Sequence, residues 1–410
     1  MKSDLDQLMQ DHKIDAILVT GSGQHNPAMV YLTGGGLFSG DYVKKRGQPA
    51  VLFHWDMERG EVSRSGLTLR SYADYPFRQF LAEANGDHTT ASALQYRRML
   101  LDLGISSGSM ALYGITELGR ALGIFSKLKE LVPGLTYASD KDLDLLGIAR
   151  ITKETSEVER IRRVGQATTR VVAKTAGYLT GHAEKDGVLV KSDGNPLTIG
   201  DVKSHINLWI TEEGLEAPEG TIFAIGRDAG VPHSSGTLED WLRLGQTIVF
   251  DIYLCEQGGG YFYDFTRTWC LGQAAPEIQQ AYDEVFQVYT TLRAELLPGM
   301  DFFFYQKRTC ELFDALGHPT PLTVPDTQQG YVHGIGHGVG LDIHERPLSG
   351  TQARAQEILV HGAIITLEPG LYYPDKGFGI RLEDTLWATP DGKFEVLAEY
   401  PMDLVLPMHM

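Results

Sequence analysis

The sequence predicts two domains of different class, an α/β unit over residues 1–150 followed by an α+β unit over 151–410. Three observations predict this. The chain has 410 residues, too many for one ordinary hydrophobic core. In the first 150 residues short apolar strand patterns alternate with helical ones, as a mixed sheet with covering helices requires. Beyond a boundary near Arg150–Ser156 strands and helices arrive in blocks instead.

The first unit opens on a short helix, Ser3–His12, and a compact apolar strand at Ala16–Thr20. Pro49–Phe53 and Met110–Tyr113 repeat that strand signature, and Ala91–Leu103 and Thr116–Leu131 carry helical periodicity. Gly34, Gly35 and Gly36 follow Tyr31-Leu32 without the Lys-Ser/Thr of a phosphate loop, so they read as a plain turn. No catalytic constellation is visible in this half.

At the boundary Ser156 and Glu159 form a capping-box pattern that opens a long helix, Glu157–Leu179. Thr198 caps a second, Ile199–Glu213. Strand-like runs follow at Thr221–Ile225, Thr247–Leu254 and Tyr261–Trp269, with Gly258–Gly260 as the turn between the last two. Helices are expected at Pro276–Leu297 and Phe302–Leu316, then strands at Ala363–Glu368, Gly379–Trp387 and Phe394–Leu397.

Composition narrows the function. Hydrophobic residues make up 42% and charged residues 22% of the chain, a soluble globular profile. The net charge of −17 argues against nucleic acid or an anionic membrane as partner. No apolar run approaches the ~20 residues of a membrane helix. The polar N-terminus lacks a signal-peptide apolar region. Cys255, Cys270 and Cys310 are too few and too scattered for a disulfide framework or zinc motif, so they read as buried hydrophobes of a cytoplasmic protein.

Strand interiors disfavour Asp and Glu, yet four carboxylates sit in or beside apolar strand patterns. Asp251 follows Ile248-Val249-Phe250, and Asp264 is flanked by aromatics. Glu368 follows Ile364-Ile365-Thr366-Leu367, and Glu383 lies in Gly379-Ile-Arg-Leu-Glu-Asp384. A buried carboxylate shifts its pKa or finds a cation. Alone, each has a bland account in a solvent-facing position or an Arg partner; four together suit hard or borderline divalent ions, Mn²⁺ first, with Co²⁺, Fe²⁺ or Zn²⁺ compatible. The charge exceeds what one divalent ion balances, which points to a dinuclear hydrolase centre. Tyr331–Glu345 complements them. It holds three of the 13 histidines, His333, His337 and His344, separated by four glycines. Such a run is not designed as a packing face. It reads as a wall of an active site, with glycines that let backbone pass close to whatever the imidazoles face.

These segments, in order along the chain, resemble the aminopeptidase P/prolidase branch of the pita-bread (M24) metallopeptidases. The residues concerned are Val249–Asp251, Tyr263–Thr268, His333–Pro347, Thr366–Gly370 and Gly379–Asp384. The likeness spans about residues 150 to 407. The first 150 residues look like that family's creatinase-type N-terminal α/β domain, less specifically, through Met29–Gly34. The implied fold is that α/β domain plus an α+β pita-bread (creatinase/aminopeptidase) catalytic domain.

The resemblance implies two divalent ions held by Asp251, Asp264, His337, Glu368 and Glu383, with Asp264 and Glu383 bridging and water as nucleophile. It makes Glu368 the general base, His344 the group on the developing oxyanion, and His333 a substrate or relay group in the same pocket. His233 matches a histidine over the substrate and Arg381 an arginine beside the site. His333 and Arg381 are equally readable as groups that orient ligands, and His233 as an exposed loop residue. Asp384 and Thr268 read as structural or supporting, His318 and His361 as turn residues without a role. Asp251 and Asp264 are thirteen positions apart, farther than in many members. Two extra turn residues at Gly258–Gly260 are one strand period and leave both side chains on one face.

The implied reaction is cleavage of the bond before proline, by an Xaa-Pro aminopeptidase or by a prolidase acting on Xaa-Pro dipeptides. Arg381 and Arg354 are the candidate cations for a free proline carboxylate, and Arg354 also reads as part of an exposed helix. The aminopeptidase reading is the one adopted, with a homodimer expected by resemblance. A non-peptidase metal-dependent hydrolase or lyase on the same scaffold is the competing class.

Overall fold

A computed structural model describes residues 4–138, 145–350 and 357–408. The chain forms two compact units, one of residues 1–150 with 258–260 and one of 151–257 with 261–410. Arg354 lies outside the described residues.

The first unit is a six-stranded mixed sheet in the order Thr68–Ser71, Val51–His54, Ser39–Lys45, Ala16–Ser22, Gly108–Gly114, Leu135–Tyr137. Its core joins Leu18, Val43, Phe53 and Met110 of the strands to Met99 and Leu100 of helix His88–Asp102 and Leu128 of helix Leu118–Leu131. Strands Ala16–Ser22, Val51–His54 and Gly108–Gly114 and the two helices fall where the alternating pattern puts them. Strands Ser39–Lys45, Thr68–Ser71 and Leu135–Tyr137 and helices Pro27–Thr33 and Phe77–Glu83 do not. Ser39–Lys45 and Thr68–Ser71 carry too many polar residues to stand out, and Pro27–Thr33 is a helix capped by the Asn26 side chain. Gly34 ends that helix in the left-handed conformation at φ 89°, so the three glycines begin as a helix stop.

The second unit carries the site. A four-stranded sheet runs in the order Ile222–Ile225, Thr247–Asp251, Thr266–Leu271, Val405–Leu406. A five-stranded sheet runs Glu345–Leu348, His337–Gly338, Ile364–Leu367, Asp384–Ala388, Phe394–Val396, and Gly370–Tyr373 pairs with Phe378–Arg381. Helices Pro276–Glu295 and Phe302–Ala315 cover these strands through Tyr289, Leu292, Phe302 and Phe313, which pack with Ile365, Leu367, Leu371 and Ile380. The long helix spans Thr155–Thr180. Its capping box is Glu154 with Glu157, two residues before the expected pair, and not Ser156 with Glu159. Thr198 and Asp201 do form the box that opens helix Ile199–Glu212.

The continuous strands expected at Thr247–Leu254, Tyr261–Trp269 and Gly379–Trp387 are each broken in two. The breaks lie immediately after Asp251, around Asp264 and around Glu383, and strand Ile364–Leu367 stops one residue before Glu368. The acidic residues that fit poorly in strands are therefore at strand ends, where backbone direction changes and the side chains are free to converge.

Candidate metal centre

The hairpin register sets the first two carboxylates. Asp251 pairs with Thr266 and Leu254 with Tyr263, the same register on both sides of the break. Asp264 is thus two positions from the partner of Asp251, a diagonal neighbour on the same face. The longer turn leaves both on one face, as one strand period requires.

The wall Tyr331–Glu345 is irregular apart from the two-residue strand His337–Gly338. Its glycines serve the wall itself. A Cβ on Gly336 would lie 2.2 Å from the Thr366 carbonyl oxygen, one on Gly338 2.2 Å from the Arg346 oxygen, and one on Gly340 2.2 Å from the Glu345 carboxylate. Gly336, Gly338 and Gly340 thus let the wall fold against neighbouring segments, and Gly334 and Gly336 also line the cavity described below. The His337 N–H donates to Thr366 Oγ1 at 3.0 Å and the Glu368 N–H to the Ile335 carbonyl at 3.0 Å, tying His337 to the end of the Glu368 strand.

Asp251, Asp264, His337 and Glu383 are buried, and Glu368 is nearly so. One ligand atom each from Asp264, His337 and Glu383 lie within 4.8 Å of one another. His337 Nε2 is 3.5 Å from Asp264 Oδ2 and 3.5 Å from Glu368 Oε1. Burial pushes the His337 imidazole down to about 3, so it is neutral. Its Nδ1 lies 3.1 Å from the Gly338 carbonyl and carries the proton, which leaves an Nε2 lone pair aimed at two carboxylates. Two atoms each about 2.1 Å from a shared ion stand roughly 3–3.5 Å apart, so the spacing suits a cation better than it suits a hydrogen bond.

The electrostatics agree. Burial, then the charges of Asp251 and Glu368, push the Asp264 carboxyl well above its ordinary range. Burial and the neighbouring Asp264 do the same to Glu383, and burial raises Glu368 to about 8. Asp251 Oδ1 is buried without a hydrogen-bond partner. Several carboxylates, one neutral imidazole and an orphaned carboxylate oxygen form a donor set that suits divalent cations. The residues fit the group that the sequence implies.

Around this cluster is a cavity of about 960 Å³. All nine sequence-predicted site residues line it: His233, Asp251, Asp264, His333, His337, His344, Glu368, Arg381 and Glu383. His344 is exposed to the cavity with its ring centroid 4.2 Å from that of His337, and burial keeps its imidazole below the ordinary value. His233 is exposed and lines the same cavity. His333 is pushed down to about 3 by burial and bonds Tyr372 Oη at 2.9 Å.

Arg381 is only 3% exposed and already engaged. Its Nη2 donates to Asp251 Oδ2 at 2.5 Å, its Nη1 to Tyr372 Oη at 2.8 Å and the Pro232 carbonyl at 3.2 Å, and its Nε to Thr266 Oγ1 at 3.3 Å. Thr268 in turn bonds the Arg381 backbone at 2.9 Å in both directions. Asp384 is paired with buried Arg267 at 2.8 Å and takes the Tyr289 hydroxyl. His318 bonds Tyr373 and Glu284, and His361 the Thr389 carbonyl, both away from the cavity.

Tyr372 is the residue that sequence reasoning missed. It links His333 to Arg381, yet in Leu371-Tyr372-Tyr373 it looks like any buried strand aromatic. Thr266, whose hydroxyl donates to Glu383 Oε2 at 2.6 Å, is equally inconspicuous. The buried ion pair Lys153–Glu345, 2.6 Å long, was also unforeseen because 192 residues separate its partners.

A sequence model of metallopeptidase family M24 matches residues 159–390. One curated relative, named "Probable dipeptidase PepE" in Mycobacterium tuberculosis, is 30% identical over 254 residues, 62% of this chain and 60% of the relative. The match therefore spans less than two thirds of that relative's length. Among solved structures, the prolidase from Pyrococcus horikoshii superposes with a TM-score of 0.74 at 20% identity, covering 98% of this chain and 99% of that one. The X-Pro aminopeptidase from Thermotoga maritima gives 0.72 at 20% identity, with 96% and 97% covered. Likeness at this identity establishes the two-domain pita-bread fold.

Proposed function

This chain belongs to metallopeptidase family M24, and we propose that it hydrolyses the peptide bond preceding proline, in the manner of an Xaa-Pro aminopeptidase. The observation that carries the reading is that Asp251, Asp264, His337, Glu368 and Glu383 all line one cavity of about 960 Å³, where ligand atoms of Asp264, His337 and Glu383 lie within 4.8 Å of one another. A cavity near the upper end of small-ligand sites, which run to about 1,000 Å³, supports a substrate longer than a dipeptide. The proposed ligands are those five residues, with two divalent ions per chain, Mn²⁺ first. Bound there, such ions supply the Lewis acidity that activates water and polarises a peptide carbonyl.

The chain's own groups divide the remaining work. Glu368 lies beside the ligand set with an elevated carboxyl pKa, which suits a group that takes a proton from attacking water and delivers it to the leaving proline nitrogen. His344 faces the cavity beside His337 and is placed to donate to the carbonyl oxygen as it gains charge. His333, held by Tyr372, lines the substrate side with His233. Arg381 orients Asp251 through its 2.5 Å contact, a role we prefer to direct substrate binding because its donors are committed. We also read the protein as a cytoplasmic homodimer. Burial of all three unpaired cysteines supports a reducing compartment, and no described helix is long and apolar enough to cross a membrane.

The test is to load the purified protein with Mn²⁺ and assay Xaa-Pro dipeptides and Xaa-Pro-Yaa tripeptides. Turnover of the tripeptides, with about two ions per chain that are lost in Asp264→Asn, is expected. Undiminished activity after chelation, or no cleavage of either peptide class, would reject the proposal.

A further inference from the structure

The cavity holds one cation that the proposed chemistry leaves unused. Among the described residues, Lys203 and Arg381 are the Lys and Arg side chains that line it. Arg381 is committed to Asp251, Tyr372, Thr266 and a carbonyl. Lys203 lies on helix Ile199–Glu212 one turn from Asn207, and both face the same space. Its Nζ donates to the Thr221 carbonyl at 2.9 Å and has no carboxylate within ion-pair distance among the described residues. Burial alone lowers its pKa, without any compensating anion. A half-buried ammonium with one backbone contact keeps two donors and an unbalanced charge.

The fold fixes where that charge sits. Thr221 immediately precedes Ile222, which pairs across the sheet with Asp251. The ammonium therefore lies no more than roughly 15 Å from the Asp251 Cα by backbone and cross-strand spacing. An extended two-residue substrate spans about 7 Å, which lies within that limit.

We infer that Lys203 is a specificity-determining residue that binds a carboxylate carried by the substrate. The inference rests on the peptidase reading above. Two sources of that carboxylate fit the geometry: the free C-terminus of a short substrate, and the acidic side chain of its first residue. Either would complete an ion pair that burial strengthens relative to the surface.

The experiment compares wild type, Lys203→Met and Lys203→Arg, all Mn²⁺-loaded, on Ala-Pro, Ala-Pro-amide, Asp-Pro-amide and Asn-Pro-amide. Metal content and melting temperature are recorded for each to confirm an intact fold. In Lys203→Met the kcat/KM ratio of a carboxylate-bearing substrate to its neutral counterpart should fall about tenfold, the equivalent of one charge-assisted contact. The change should appear mainly in KM, and Lys203→Arg should restore most of it. A fall in the Ala-Pro to Ala-Pro-amide ratio identifies the C-terminal carboxylate as the ligand. A fall in the Asp-Pro-amide to Asn-Pro-amide ratio identifies the side chain. If both ratios match wild type while the peptides are cleaved, the inference is overturned and the peptidase reading stands. If wild type cleaves none of the four, the inference is overturned, and the peptidase reading falls with it only if Xaa-Pro-Yaa tripeptides are also left intact.

Discussion

Stripping the metals should make this protein's stability fall as the pH rises from about 6.5 to 8. Glu368 has an ordinary carboxyl pKa of 4.5 when unfolded and one near 8 in the metal-free fold, raised chiefly by burial. The folded state therefore keeps a proton that the unfolded chain gives up, so stability declines as pH rises between those values and levels off above 8. The buried histidines act in the opposite sense. His333 and His337 are pushed down to about 3 from 6.5, so stability is lost as pH falls below 6.5, where the unfolded chain binds protons that the fold refuses. Above 6.5 the histidines are neutral in both states and only the carboxyls matter. Across that 1.5-unit window Glu368 alone costs about 2 kcal/mol, and Asp264 and Glu383, also raised by burial, add to it. For a unit of this size that is a drop of roughly 4–8 °C in Tm. Bound Mn²⁺ replaces the protons and should flatten the dependence, so Mn²⁺ stabilises more at pH 8 than at 6.5. Calorimetric melts with and without Mn²⁺ read this directly. A metal-free Tm that holds or rises over the window, or an equal Mn²⁺ increment at both pH values, would refute the carboxyl-cluster argument.

Two substitutions test the supporting residues. Arg381→Met removes the 2.5 Å contact to Asp251 and should weaken metal affinity about 10- to 100-fold, measured by titration calorimetry, with kcat largely recovered at saturating Mn²⁺; unchanged affinity with a raised KM would instead make Arg381 a substrate anchor. Lys153→Met removes one partner of the buried 2.6 Å ion pair with Glu345 and should cost about 3–5 kcal/mol in urea unfolding, with much of it regained in Lys153→Met/Glu345→Leu.

The readable part of this protein was its chemistry-bearing residues. Asp251, Asp264, Glu368 and Glu383 were conspicuous because each violated the strand pattern around it, and the imidazoles because glycines isolated them. A residue that opposes its local preference must be compensated by something distant, and that makes it visible. Tyr372, Thr266 and Lys203 were invisible for the opposite reason. A tyrosine in an aromatic strand, a threonine in a strand and a lysine on an exposed helix all agree with their surroundings. The strands of the first unit failed where polar faces hid the alternation, as at Ser39–Lys45.

Residue type and order along the chain, with the family resemblance they carry, were therefore enough to predict the fold class and to nominate the nine cavity residues. Only the tertiary structure decided what the wall at Tyr331–Glu345 is. Its glycines admit the Thr366 and Arg346 backbones, and His337 comes to stand 3.5 Å from both Asp264 and Glu368, while His333 is 3.7 Å from Glu368. His333 is left to Tyr372 and His344 to the open cavity. Three similar histidines within twelve residues end in different surroundings because contacts made by segments far away in sequence set where each ring lies.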